Sequence, residues 1–245
     1  MAKEKAYKLL AQQLGISNKK AKELIDRGIV YVGDRKVKIA RAEMPDQTTF
    51  RVEYPKEAEI LYEDDELIVV NKPPHIESDE IEAMLPQAQL LHRLDRETSG
   101  VLLLGKNDAF VTKALEAFKR RRVHKEYVAW VEGIVAEEMT IDEPIWTIKR
   151  GKAISMIDPL KGKKAVTHLF PEEVQGKKSK IRAVIETGRT HQIRVHLAHI
   201  GHPIVGDEQY GSVTQSKRIL LHAKAIELLG RRFEAPEPAD IERYK

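Results

Sequence analysis

The sequence predicts an α+β protein: a larger domain over residues 55–245, built on a mixed, largely antiparallel sheet, preceded by a small α+β module over residues 1–54. Strand-type apolar runs outnumber helical ones beyond residue 60 and do not alternate regularly with them, which argues against a doubly wound sheet. The first fifty-odd residues pair two short amphipathic helical segments with a hairpin. Between the two parts lies "EYPKEAEILYEDD", a charged stretch with a proline and few apolar anchors, the composition of a domain boundary.

In "YKLLAQQLG" Tyr7, Leu10 and Leu14 recur at helical spacing and Gly15 supplies a stop. Ser17 or Asn18 caps the next helix, "KKAKELIDRG", with Ala21, Leu24 and Ile25 inward, Lys19, Lys20 and Lys22 outward, and Gly28 at its end. "IVYVGDRKV" then alternates about Gly33-Asp34, a two-residue hairpin signal. Past the boundary, "ELIVVNKP", "VLLLGK", "EYVAWVEG" and "KIRAVIETG" read as strands. A helix is expected from about Asp108 to Arg120, with Phe110, Leu115 and Phe118 as its main apolar positions. Another is expected after Thr190 as its cap, with Ile193, Leu197 and Ile200 on one face and Arg194 on a neighbouring one.

A chain of 245 residues with 42% hydrophobic residues can bury a proper core. No apolar run is long enough to span a bilayer and the start lacks the apolar centre of a secretory signal, so a cytoplasmic protein without a membrane partner is expected. The absence of cysteine excludes disulfides, thiolate catalysis and Cys-ligated zinc or iron–sulfur sites. Charge is unevenly spread: 13 Lys and Arg against 7 Asp and Glu over residues 1–56, 3 against 12 over 57–104, and 26 against 19 thereafter. Basic ends around an acidic middle suit an RNA-binding protein, although basic helices are also often plain solvated surfaces.

"LLHRLDRETSG" (90–100) crowds polar and charged residues directly before "VLLLG". The simplest reading is a turn in which Asp95 or Ser99 bonds local backbone. Taken with "NKPP" (71–74), "HKEYVAWVEG" (124–133), "GKKAVTHLF" (162–170), "TGRTHQIRVHLAHIGHPIVGDEQYG" (187–211), "RILLHA" (218–223) and "FEAPEPAD" (233–240), it resembles the RluA-type RNA pseudouridine synthases, in order and over nearly all of residues 60–240. The basic helices and hairpin of residues 5–54 resemble the S-four-like RNA-binding module first described in a ribosomal small-subunit protein, departing from it at Gly33-Asp34, where Asn-Gly is usual. A helical cap for the larger domain is the plainer account of that segment.

The resemblance implies the pseudouridine synthase fold and a reaction in which a uridine in RNA is detached at nitrogen 1, turned, and reattached through carbon 5. Such chemistry needs a carboxylate at the sugar's anomeric carbon or at ring carbon 6, which assigns Asp95 as catalytic. An isomerisation consumes no water or redox carrier, and no cofactor is expected. By the same resemblance, Tyr127 is the active-site tyrosine that stacks on the ring and moves a proton, although a Tyr in an alternating strand is ordinarily core. Arg194 holds the position that pairs with Asp95, and Leu197 fits the apolar wall beside the base. Arg93 is carried over as the wedge that fills the gap left by the flipped base, with a phosphate contact as its alternative.

Lys72 matches the Lys-Pro beside the family's site and is assigned to substrate binding; the Gly that usually follows Lys-Pro-Pro is His75 here, and the stretch from His75 to Leu85 is atypical. His191, His196, His199 and His202 lack a carboxylate at ligand spacing, so no metal site is expected. Lys119 to Arg122 is a candidate for phosphate contact. The expected partner is RNA, with large-subunit ribosomal RNA ahead of transfer RNA, and a monomer is expected. A non-catalytic RNA-binding or assembly protein would account for the basic module but would not need Asp95, Tyr127 and Arg194 together. A metal-dependent hydrolase would account for the His-rich segment.

Overall fold

The computed structural model describes residues 2–150 and 152–244. The chain divides into two compact units, Met1–Glu57 and Ala58–Lys245.

In the first unit β1 (Lys3–Lys5) runs into α1 (Ala6–Leu14), which ends where Gly15 turns left-handed (φ 64) and donates to Ala11 O. Ser17 caps α2 (Asn18–Asp26) by accepting from the Lys20 amide at 3.2 Å. The hairpin β2 (Val30–Val32) and β3 (Arg35–Lys36) turns on Gly33-Asp34 as expected. Two short strands complete the unit: β4 (Glu43–Pro45) on β1, and β5 (Arg51–Val52) on β2. Leu10, Leu24, Ile25, Ile29, Val30 and Phe50 form its separate core.

The second unit begins with β6 (Glu59–Glu63), β7 (Leu67–Lys72), α3 (Ser78–Met84), β8 (Gln89–Leu90), β9 (Ser99–Gly105), α4 (Asp108–Lys119) and β10 (His124–Glu132). There follow β11 (Met139–Asp142), a separate ribbon of β12 (Ile145–Arg150) and β13 (Lys152–Ile157), then β14 (Val166–Gln175) and β15 (Lys178–Ile185). After α5 (Gln192–His199) come β16 (Leu221–Leu228), β17 (Arg231–Glu234) and α6 (Ala239–Glu242). The sheet order is β11-β14-β15-β10-β16-β9-β7-β6, with β17 beside β16 and β8 beside β9. Among the described residues only β16 and β9 pair in parallel, at His222 with Ser99 and Ala223 with Gly100. The sheet is thus mixed and largely antiparallel.

All seven residues of β9 are buried, because both faces of the sheet are covered there. Leu102 and Leu104 join a core with Tyr127, Ala129, Ile181, Ala183 and Leu197, while Val101 and Leu103 meet Leu67, Val69 and the inner face of α4. Fully burying one such leucine stabilises the fold by roughly 1.5–3 kcal/mol. The boundaries of α4 agree with expectation, as do the places of Phe110, which is buried, and Phe118, which packs against the same core; Leu115 is exposed instead, and Val111, Ala114 and Ala117 complete the buried face. The helix lies so close to β9 that a Cβ on residue 105 would come within 2.5 Å of Val111, so the strand meets the helix there with a glycine. The start of α5 also differs from expectation. Its cap is His191 rather than Thr190, and the Gln192 side chain ties down the preceding loop, accepting from Thr187 Oγ1 at 2.6 Å and the Arg189 amide at 3.1 Å.

Candidate active site

The polar cluster before β9 is not a solvated turn. Leu91 and Leu94 are buried, and the Leu94 amide donates to Ser78 Oγ at 3.0 Å. His92 Nε2 accepts from the Leu103 amide at 3.1 Å and its ring stacks on Phe118; burial pushes its pKa down to about 3, so the ring is neutral. Ser99 Oγ lies 2.8 Å from His222 Nδ1 and accepts from Arg218 Nη1 at 3.1 Å, and Arg218 makes a two-pronged pair with Asp240 at 2.7 and 2.8 Å. At Gly100 the backbone takes φ 116 and a Cβ would fall 2.1 Å from Ala223 O, so the parallel pairing of β9 and β16 requires glycine. These contacts fix both ends of a short loop whose apex is Asp95.

Lys72 supports the same loop from beneath, which differs from its expected place at the substrate surface. Its side chain is fully buried at the end of β7, where Nζ donates to Ile76 O at 2.8 Å, Pro73 O at 2.9 Å and Arg96 O at 3.2 Å. Burial pushes its pKa down to about 7, against the opposing charges of Glu77 and Asp95. Three carbonyls around one ammonium have already used its three protons, leaving none for a phosphate. His75 takes the left-handed backbone (φ 68) that a Gly at this position would adopt freely, and its amide donates to Arg96 O at 2.7 Å.

Asp95 keeps a 30% exposed side chain, with Oδ2 3.5 Å from Arg194 Nη1 and 3.9 Å from His191 Nε2. The structure therefore brings Asp95 and Arg194 together, but through one long contact. Arg194 is committed elsewhere: Nε donates to Asp207 Oδ2 at 2.6 Å, and Nη2 to Asp207 Oδ1 at 2.9 Å and Gln209 Oε1 at 3.2 Å. Its guanidinium also lies over the Tyr210 ring, 4.9 Å from the centroid. Burial alone would lower the Arg194 pKa; the hydrogen bonds and charge of Asp207 outweigh this and raise it.

Tyr127 reaches the site from β10, in the buried cluster that also holds Leu94 and Leu197. Burial first, and then the charge of Asp95, raises its pKa and keeps the phenol protonated. Among the described residues its hydroxyl has no hydrogen-bond partner. Leu197 is fully buried on α5, consistent with an apolar wall. Arg93 is exposed and lies in a two-pronged pair with Asp79 of α3, at 2.8 and 2.9 Å.

The histidines serve separate purposes. His191 Nδ1 meets the Tyr210 hydroxyl at 2.8 Å, His196 lies between Thr167 Oγ1 and Glu143 O, and His202 Nδ1 is 2.8 Å from Glu132 O. Among the described residues no group of three or more His, Asp or Glu is arranged to hold a metal ion, and no helix is long and apolar enough to cross a membrane. Arg121 and Arg122 line a surface cleft with His124 and Arg232, alongside Glu186 and Glu227.

Sequence reasoning missed Asp207, Gln209 and Tyr210. They stand in the quoted "GDEQYG", and the available signal was physical: a buried arginine needs a carboxylate, and the helix bearing Arg194 supplies none. The assembled site offers one partly open carboxylate, a protonated phenol and an apolar wall, with an arginine behind them. That set suits attack on an electrophilic carbon followed by proton transfer.

Residues 66–199 match the model of the RNA pseudouridylate synthase family. The chain is 50% identical over 241 residues to an uncharacterized RNA pseudouridine synthase of Helicobacter pylori, covering 98% of this chain and 99% of the relative. It is 33% identical over 225 residues, 80% of this chain and 69% of the relative, to the ribosomal large subunit pseudouridine synthase D of Haemophilus influenzae. The solved structure of human RNA pseudouridylate synthase domain containing 1 superposes with a TM-score of 0.63 at 30% identity, covering 75% of this chain and 84% of that one. The chain belongs to the RNA pseudouridylate synthase family, and is an isomerase acting on uridine in RNA. Within it, the chain is of the RluA type.

Proposed function

We propose that this enzyme isomerises a specific uridine of large-subunit ribosomal RNA, with Asp95 as the nucleophilic carboxylate. The observation that carries the assignment is the position of Asp95: the apex of a loop braced on all sides by buried polar contacts, open to solvent itself, beside Tyr127 and Arg194. The likeness to the Haemophilus influenzae relative, whose name states the large ribosomal subunit, supports that target. Residues 1–54 serve as an S-four-like RNA-binding module, for which the excess of Lys and Arg speaks. The enzyme works as a cytoplasmic monomer.

In this reading the base leaves its stack at a cost of a few kcal/mol, and Arg93 leaves Asp79 to fill the gap. Asp95 acts at the anomeric carbon or ring carbon 6 as the bond to nitrogen 1 breaks. The ring turns against Leu197 and rejoins the sugar through carbon 5. Tyr127 stacks on the ring and relays the proton that carbon 5 loses; nitrogen 1 ends protonated, so the product is an isomer and no atom is consumed. Arg194 orients Asp95.

Mapping pseudouridine in all RNA of a deletion strain complemented with wild type or Asp95→Asn tests both parts. The expected result is one or a few large-subunit sites lost on deletion, restored by wild type and not by the Asn variant. Loss confined to transfer RNA would overturn the substrate, and restoration by Asp95→Asn would overturn the nucleophile.

A further inference from the structure

His191 has no part in the chemistry so far, yet it faces the reactive carboxylate in a backbone conformation that a histidine adopts at a cost. It caps α5 with φ 55, without a capping hydrogen bond from its side chain. Left-handed backbone costs a non-glycine residue roughly 1–2 kcal/mol, and such residues gather where the side chain is needed in one place. The imidazole is 12% exposed, between Tyr210 and Asp95.

The hydrogen-bond chain behind the ring favours one tautomer. The Ser155 amide donates to the Tyr210 hydroxyl oxygen at 2.9 Å, and Ser155 Oγ in turn donates to Thr190 O at 2.8 Å. Tyr210 is left to donate its own proton, and the acceptor at 2.8 Å is His191 Nδ1. Burial lowers the His191 pKa, with Arg194 acting in the same direction and Asp95 and Asp207 opposing; the ring is neutral. A neutral ring accepting at Nδ1 is protonated at Nε2, the nitrogen 3.9 Å from Asp95 Oδ2.

The same oxygen is the one that Arg194 Nη1 approaches at 3.5 Å, the rest of that guanidinium being occupied by Asp207 and Gln209. Two donors therefore converge on Oδ2, and among the described residues none serves Oδ1.

We propose that His191 is a positioning residue for Asp95, whose Nε2–H and Arg194 Nη1 together hold carboxylate oxygen Oδ2 so that Oδ1 is presented to the uridine. The separation of 3.9 Å closes to a hydrogen bond when the substrate displaces water, as catalytic contacts commonly tighten in the complex. The inference rests on Asp95 being the reactive carboxylate, while the tautomer at its centre does not.

Nitrogen-15 NMR of the full chain labelled at histidine, with the His191 signals identified by their loss in His191→Gln, reads the tautomer directly. The neutral Nε2–H form is expected in wild type, and a mixture in Tyr210→Phe, which removes the hydroxyl and keeps the ring. Kinetics supply the second arm. His191→Gln retains an N–H donor at the Nε2 position and should keep kcat within about threefold, whereas His191→Leu should lose roughly 10- to 100-fold in kcat, one hydrogen bond to a charged group, with RNA affinity unchanged. Leu229 already adopts φ 52 in this chain, so leucine can take this region of backbone space. An Nδ1–H tautomer in wild type, or equal losses in the Gln and Leu variants, would overturn the proposal. Turnover by Asp95→Asn would instead remove the nucleophile assignment and leave the tautomer result standing.

Discussion

Arg194 and Asp207 form a buried two-pronged ion pair, Nε to Oδ2 at 2.6 Å and Nη2 to Oδ1 at 2.9 Å, with the side chains 7% and 1% exposed. Asp95, the partner expected from sequence, has a single contact of 3.5 Å with the same guanidinium. Asp207 thus neutralises the arginine and fixes its plane, and Asp95 receives only the remaining edge.

Stability should follow that division. Removing one member of a buried pair costs about 3–5 kcal/mol, because the survivor stays desolvated and alone. Asp207→Asn and Arg194→Met should each fall near that range, and the double variant should lose clearly less than their sum. Asp95→Asn and Arg194→Met should also deviate from additivity, but by less, about 0.5–1 kcal/mol, in keeping with one long contact at a partly exposed carboxylate. Urea unfolding of the six proteins measures both cycles, and a stronger coupling of Arg194 to Asp95 than to Asp207 would contradict the geometry.

Lys72 allows a test of support against substrate contact. Lys72→Met leaves the carbonyls of Pro73, Ile76 and Arg96 without their donor, at a cost of at least about 2 kcal/mol in stability. It should also lower kcat by loosening the Asp95 loop. The slope of log affinity for RNA against log salt should not change, whereas loss of a phosphate contact would flatten it by about one. Filter binding at several salt concentrations separates the two, and a flatter slope returns Lys72 to the RNA interface.

What was legible in the sequence was whatever local pattern determines. The caps at Gly15 and Ser17, the Gly33-Asp34 hairpin and the four strand runs depend on neighbouring residues, and they appear where expected. The place of Leu115 on α4 was not legible, because the helix turns Val111 toward Gly105 and Leu115 outward, a choice that periodicity does not encode. Motif resemblance named Asp95, Tyr127, Arg194 and Leu197, which the structure brings near one another. It could not say that Lys72 points inward, since a Lys-Pro pair gives no depth, nor that Arg194 spends its fork on Asp207. Both depend on pairings across the fold that spacing alone leaves open.

Acid should weaken this protein through its buried neutral histidines. Burial pushes the pKa of His222 down to about 4 and that of His92 to about 3, from an ordinary value near 6.5. Between those limits the unfolded chain binds protons that the folded chain refuses, so the stability these residues contribute is complete above about pH 6.5 and is lost as pH falls toward 4. For His222 the loss is at most about 3 kcal/mol. His222→Gln should be less stable than wild type at pH 7.5, through its broken bond to Ser99, and the gap should narrow by pH 4.5. Denaturant midpoints at the two pH values decide it; a gap that widens in acid would show that His222 is charged in the fold.

The pairing of Arg93 with Asp79 bears on substrate entry. Both side chains are exposed, and a neighbouring contact of 3.5 Å joins Arg96 to Glu77, so an acidic segment occupies both arginines that flank Asp95 before RNA arrives. Under the proposed function, RNA phosphate or a vacated base position competes with Asp79 for Arg93. An exposed ion pair is worth about 0.2–1 kcal/mol, which bounds the competition at roughly fivefold in affinity. Asp79→Asn should accordingly tighten RNA binding by up to about that factor at low salt, with the gain fading as salt screens the pair. The loss of general negative charge predicts the same sign, so the control is the Asp79→Asn, Arg93→Ala double variant. If Asp79 acts by holding Arg93, the gain disappears when the arginine is absent. If the double variant binds more tightly than Arg93→Ala by the same factor, the effect is diffuse electrostatics and the pair has no role in substrate entry.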